Sequence, residues 1–280
     1  MVDVREWSRE DAARFVRVPT PHDDKYSRGV VALRTGSPAY PGAAVLGVEA
    51  AWRAGAGFVR YVGEGRPADA VLARRPETVT GPDTGRTRVG AWVIGSGTDA
   101  AAREEEETAA LRAILAGDVP VVVDAGALDL AAGARAPFVV TPHAGEFARL
   151  RQQLGIGEDP DEAAEEAVVR VAETLGGTVL LKGARTLVAH GGEVIAVEES
   201  TGWLATAGTG DVLAGVIGAF VAADPDAPLR DAAAAAAWVH GRAAKLASGV
   251  VGRDGATAGR PIVALDVAEA LPRAIADLLA

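Results

Sequence analysis

Apolar positions along the chain alternate between short continuous runs and stripes at helical spacing. Val30-Val-Ala-Leu-Arg34 is a run suited to a buried strand, and residues 35–42 form a turn-rich loop. Ala43 to Ala54 then places Val45, Leu46, Val48 and Trp52 at helical spacing. Gly55-Ala-Gly57 stops that helix, and Phe58–Val62 reads as a second strand. Strand, glycine loop, helix, strand is a βαβ unit, whose crossover implies a parallel sheet.

The alternation continues. Residues 63–90, broken by Pro67, Pro76 and Pro82, carry too little pattern to assign. Trp92–Ile94 predicts a strand, Ala100–Leu115 a helix, and Val119–Asp124 and Phe138–Pro142 two more strands. A helix is expected from His143 through Leu150 and another over Asp161–Leu175, followed by a strand over Thr178–Lys182. Leu187–Ala189 and Val194–Val197, joined across His190-Gly-Gly192, read as a hairpin. Helices close the chain at 212–222, 229–248 and 264–279. The pattern predicts one α/β domain over 25–280, a single doubly wound, mostly parallel sheet flanked by helices. Residues 1–24 read as an N-terminal arm.

Composition narrows the chemistry. A net charge of −10 argues against broad nucleic-acid binding. The absence of cysteine excludes disulfides and thiol catalysis, and four scattered histidines argue against a zinc centre. No apolar run is long enough for a membrane helix and the N-terminus has no apolar signal core, so a cytoplasmic location is expected. Only three of the 28 basic residues are lysines (Lys25, Lys182 and Lys245), which draws attention to each.

The richest stretch is Thr201–Asp211, in which small residues with Gly208 and Gly210 end in a single carboxylate and feed an apolar helix. A helix start without bulky side chains presents free N–H groups and a positive dipole end to an anion. The plainer alternative is a glycine turn capped by Asp211. In a doubly wound sheet, ligands gather at the carboxyl ends of the strands. There the sequence places Gly36-Ser37, Gly95-Ser-Gly97, Asp124, Thr141-Pro-His143 and Lys182-Gly183. Asp124 suits a water or Mg²⁺, or a cap on the next turn. Lys182 suits a nucleotide phosphate, or a strand-end lysine reaching for solvent. His143 is as compatible with a structural role as with a catalytic one.

Seven segments in order carry a resemblance: Lys25–Gly29, Tyr40–Ala44, Arg53–Gly57, Val123–Leu128, Thr141–Glu146, Leu181–Ala184 and Leu204–Gly215. Together they resemble the ADP/ATP-dependent NAD(P)H-hydrate dehydratases. The resemblance implies a ribokinase-like fold, a homotetramer, and repair of the S epimer of hydrated NADH or NADPH with ADP or ATP as co-substrate and Mg²⁺. Carried over by position, Ala43, Gly97, His143 and Asp211 contact the hydrate. Lys182, Gly183, Ala184, Arg185, Thr186 and Gly210 hold the nucleotide. Ala207, Gly208, Thr209 and Gly210 form an anion hole, and Asp211 is the base. No metal-binding residue is assigned. An epimerase domain fused to some members is not expected ahead of Lys25. The chain departs from the family pattern at Thr201-Gly-Trp203, at Ser96 within Gly95–Asp99, and at Gly126. Two rival readings are a kinase of the hydroxymethylpyrimidine or hydroxyethylthiazole type and a nucleotide sensor without turnover.

Overall fold

The structure is a computed structural model that describes residues 2–157, 159, 161–250 and 258–280. The first half of the chain contributes β1 (Val4–Glu6), α1 (Arg9–Ala13), β2 (Val30–Arg34), α2 (Pro41–Arg53), β3 (Phe58–Val62), α3 (Gly65–Arg74), β4 (Val79–Gly81) and β5 (Ala91–Ile94). After them come α4 (Glu105–Leu115), β6 (Val121–Val123), β7 (Phe138–Val140), α5 (Ala144–Gln153), α6 (Ala164–Leu175) and β8 (Thr178–Leu181). The hairpin β9 (Thr186–His190) and β10 (Glu193–Val197) precedes α7 (Thr209–Ala223), α8 (Leu229–Ser248) and α9 (Ala264–Leu279).

Among the described residues, ten strands form one sheet in the order β1-β10-β9-β8-β7-β6-β5-β2-β3-β4, and of these only β9 runs against its neighbours. The expected doubly wound, mostly parallel sheet is therefore present. Its strands alternate in the pleat, so Val122 and Val121 face opposite sides. Val31, Leu33, Val93, Val122 and Leu180 pack with α2, α7, α8 and α9 in one core. Ile94, Val121, Val123, Val140 and Val179 pack with α4, α5 and α6 in the other. Burial on both faces explains why these strands read as continuous apolar runs.

Three stretches differ from their sequence reading. The expected arm carries β1, which pairs in parallel with β10 through Val4–Glu6 and covers that sheet edge. Two residues of α1, Asp11 and Ala12, are buried. The unassigned stretch holds α3 and β4, whose short apolar set (Pro67, Ala68, Val71) is too small to announce itself. The helix expected over 100–115 begins at Glu105, because Asp99 caps a separate 3₁₀ turn at Ala100–Ala102 and Arg103 is extended.

The chain passes from β2 out to β3 and β4 and returns on the other side of β2 as β5. That reversal opens a crevice at the carboxyl ends of β2 and β5.

Candidate active site

Five parallel strands, β2, β5, β6, β7 and β8, deliver their carboxyl ends to one edge of the sheet. Asp124 follows β6 and is only 2% exposed. Its carboxylate accepts hydrogen bonds from Ser96 Oγ at 2.9 Å, Thr141 Oγ1 at 2.7 Å and Lys182 Nζ at 3.0 Å. Each donor stands just beyond its own strand, so the polar tips foreseen in the sequence converge on one buried carboxylate. Ala125, next in the chain, has φ +43°, a left-handed conformation uncommon outside glycine. Such backbone persists where its surroundings hold it, as they do beside Asp124.

Lys182 is tethered at its backbone as well, donating its N–H to the Pro142 carbonyl at 2.9 Å. Burial works against its charge. Asp124 and Glu146, whose Oε2 lies 3.8 Å from Nζ, more than offset that penalty, with a smaller contribution from Asp211, and the ammonium pKa is raised.

Helix α7 begins immediately after Gly208, whose φ of +91° is a backbone state open to glycine. No side chain caps this start. The Thr209 hydroxyl instead donates back to the Leu204 and Thr206 carbonyls, both at 3.0 Å, which fixes the loop ahead of the helix. A side chain on Gly210 would stand 3.3 Å from Lys182 Nζ, so the ammonium hangs over the first turn. Asp211 occupies the third position of α7. Burial and the nearby Asp124 carboxylate raise its pKa to about 7 against the opposing pull of Lys182.

A cavity of about 800 Å³ opens in front of this helix start. Its wall includes His143, Lys182, Gly183, Ala184, Thr186, Thr209 and Gly210. The expected nucleotide residues are thus brought together with one exception. Arg185 turns its guanidinium away, to Glu165 at 2.5 Å and Glu6 at 2.6 Å. Ala43 and Gly97 meet elsewhere, in the crevice between β2 and β5, where Gly97 lies against the Ala43 methyl and Gly36. Asp211 follows Gly210 but lies outside the residues lining the cavity; its backbone oxygen lies beside Gly47 of α2, and its helix packs against α2 and β5.

His143 caps α5. Its Nδ1 accepts from the Gly145 and Glu146 amides at 3.0 and 3.4 Å, and the Glu146 carboxylate accepts from the His143 amide at 2.8 Å. The same Glu146 oxygen reaches toward Lys182, which links the cap to the buried cluster.

His240 on α8 escaped the sequence reading. It lines the cavity, contacts the Thr209 backbone, and is held neutral by burial, with a pKa of about 4. The signal available was a lone polar residue closing the apolar run Ala232–Val239. The roles of Ser96 and Thr141 as holders of Asp124 were also invisible, because they depend on which strands become neighbours.

A family profile described as NAD(P)H-hydrate dehydratase matches residues 31–260. The bifunctional NAD(P)H-hydrate repair enzyme Nnr of Mycobacterium tuberculosis is 45% identical over 229 residues, 79% of this chain and 46% of that protein. This chain therefore spans about half the length of the bifunctional relatives it matches. The ADP-dependent (S)-NAD(P)H-hydrate dehydratase of Neisseria meningitidis is 38% identical over 78% of this chain and 77% of its own. In structure, the ADP/ATP-dependent NAD(P)H-hydrate dehydratase of Bacillus subtilis, co-crystallized with ATP/Mg²⁺, superposes with a TM-score of 0.83 at 25% identity, covering 99% of both chains. A ribokinase-like superfamily protein from Enterococcus faecalis superposes with a TM-score of 0.82 at 23% identity, covering 98% of this chain and 96% of its own, which carries the ribokinase-like fold. The chain belongs to the NAD(P)H-hydrate dehydratase family.

Proposed function

We propose that this protein uses ADP, or ATP, to dehydrate the S epimer of hydrated NADH or NADPH. The reduced cofactor is restored, with phosphate and AMP, or ADP, as the other products. The observation that carries the reading is Asp211, a carboxylate with a pKa of about 7 at a glycine-lined helix start whose neighbouring Gly210 lies under the Lys182 ammonium.

A ring hydroxyl is a poor leaving group, and transfer of a phosphoryl group to it makes a good one. Asp211 in its ionised form takes the hydroxyl proton as the oxygen attacks, and its raised pKa suits a base working near neutrality. The bond from the terminal phosphorus to the nucleotide oxygen breaks as the new one forms. Lys182 and the N–H groups of residues 207–210 face the charge on the group in flight. The ring nitrogen's lone pair then expels phosphate to leave an iminium, and loss of a proton from the adjacent ring carbon to solvent restores the double bond.

The described residues contain no group of three or more side chains fit to hold a metal, and Asp124 is already engaged by Lys182, Ser96 and Thr141. The site therefore does not fit a resident metal. Mg²⁺ belongs to this reading as the counter-ion of the nucleotide phosphates. No helix among the described residues is long and apolar enough to cross a membrane. Action in the cytoplasm, as a homotetramer, completes the proposal.

The test is incubation with the S-epimer hydrate, Mg²⁺ and ADP or ATP in separate reactions. Return of the reduced-nicotinamide absorbance supports the proposal, and no return with either nucleotide removes it. A stable phosphorylated alcohol from a vitamin precursor in its place identifies a kinase.

A further inference from the structure

Beyond the phosphate end, the cavity continues along the sheet edge to a carboxylate that the chemistry above leaves unused. Just past the end of β10, Glu198 and Glu199 line the cavity together with Ala237, His240 and Gly241 of α8. β10 lies two strands from β8, and because β9 opposes both, the two run parallel. Neighbouring strands are about 4.8 Å apart, so the tips bearing Lys182 and Glu199 are separated by roughly 10 Å. Lys182 and Glu199 line the same cavity, so a nucleoside diphosphate with its terminal phosphate on Lys182 extends its ribose along that cavity toward Glu199.

Glu199 is firmly held. Its Oε2 accepts from Lys245 Nζ at 2.8 Å, with the two side chains 14% and 11% exposed. Helix α8 approaches so closely that a Cβ on Gly241 would stand 1.6 Å from the Glu199 carbonyl oxygen. A largely buried ion pair is a weak source of stability, and an apolar pair of the same volume often serves as well. Glu199 stands in a wall that carries Ser200, Thr201 and His240 as well as Leu204, Leu213 and Ala237, where a bound ligand gives it a role. A carboxylate repels phosphate but accepts readily from hydroxyls, and with Lys245 on one oxygen it keeps lone pairs for a vicinal diol.

We propose that Glu199, positioned by Lys245, accepts the ribose hydroxyls of the bound adenine nucleotide and so selects ribonucleotides over deoxyribonucleotides. This rests on the nucleotide reading of the cavity. The remaining apolar wall takes the base.

Calorimetric titration of the intact protein with ADP, 2′-deoxy-ADP and 3′-deoxy-ADP tests it without needing turnover. The wild-type protein is expected to bind ADP about tenfold or more tightly than either deoxy analogue, the usual scale for one hydrogen bond to a charged group. Glu199→Gln narrows that ratio to about threefold or less, by weakening ADP and sparing the analogues. Lys245→Met shifts the ratio in the same direction by a smaller factor, as a residue acting through Glu199. Equal binding of ADP and the deoxy analogues by the wild-type protein overturns this inference alone. So does an unchanged ratio in Glu199→Gln. No ADP binding at all removes the nucleotide reading and this inference together.

Discussion

Two helix starts face the same sheet edge and are built in opposite ways. At α5, His143 takes the amides of Gly145 and Glu146 on its ring nitrogen, and Glu146 returns a bond to the His143 amide. The donors that a helix leaves free are met there by its own side chains. At α7 the cap is Gly208, no side chain caps the first turn among the described residues, and Lys182 hangs over it. An anion arriving at α5 must displace bonds already made, whereas at α7 it completes them. The difference separates a start closed for stability from one left open for a ligand, although both carry an acidic residue at the third position.

The comparison is sharpest at those two acids. Glu146 serves as a cap, while Asp211 sits half-buried with a second carboxylate nearby and a pKa of about 7. Asp211→Asn is expected to lower kcat by a factor of about 10³, within the usual range for loss of a positioned base. Recovery of reduced-nicotinamide absorbance measures it, and the wild-type kcat/KM should fall below an acid limb near pH 7 that the variant lacks. Stability moves the other way. Between the unfolded value near 3.8 and the folded value near 7, the native state keeps a proton that the unfolded chain has lost. Folding is therefore penalised increasingly as pH rises through that window. At pH 8 Asp211→Asn should be more stable than the wild type, on the order of 2 kcal/mol, with the gain vanishing toward pH 4. Thermal melts at both pH values decide this, and an unchanged kcat in the variant leaves α7 as a binding element only.

Much of this was legible in the sequence, and its limits are physical. Val30–Leu33 and Val121–Val123 announced themselves because strands buried on both faces read as continuous apolar runs. The open start of α7 was visible because the lack of bulky side chains is a local property. β1 was not, since Val4–Glu6 becomes a strand only by pairing with β10, nearly two hundred residues away in the chain. The convergence of Ser96, Thr141 and Lys182 on Asp124 was hidden for the same reason. Asp124 offered two local readings, a metal ligand or a turn cap, and the fold chose a third, a buried partner for three donors from three strands.

Lys182 ties the two helix starts together, lying 3.8 Å from Glu146 and over Gly210. Lys182→Met leaves Asp124 buried without its counter-charge. The expected losses are about 2–3 kcal/mol of stability and a hundredfold in the KM for ADP. Lys182→Arg separates the two effects by keeping the charge while misplacing it beside the crowded first turn. A Met variant that keeps both its melting temperature and its KM would mean that α7 needs no cation above it.

A smaller effect is expected at the closed start. His143→Ala removes the ring nitrogen that meets two amides and should lower stability by about 1 kcal/mol. If His143 also touches the hydrate, as its position in the family motif implies, kcat/KM for the hydrate falls about tenfold while ADP affinity holds. Asparagine at the same position retains a capping group and recovers the stability alone. Equal loss toward hydrate and ADP would place the two helix starts on one ligand and erase the contrast between them.

The smallest effect concerns Arg185, the residue of the Lys182–Thr186 turn whose side chain leaves the cavity. Glu6 and Glu165 hold its guanidinium, and the arginine pKa is raised first by the Glu6 hydrogen bond and then by Glu165. A partly exposed pair of this kind contributes little, about 0.5 kcal/mol or less. Arg185→Gln should change the KM for ADP by less than about twofold and barely move the melting temperature, and Glu6→Gln should do the same. The nucleotide phosphates would then depend on Lys182 and the open helix start, with the remainder of the turn contributing backbone. A tenfold rise in KM for ADP in Arg185→Gln, with Glu6→Gln lowering KM, would instead mean that the two acids restrain an arginine that swings inward when nucleotide binds.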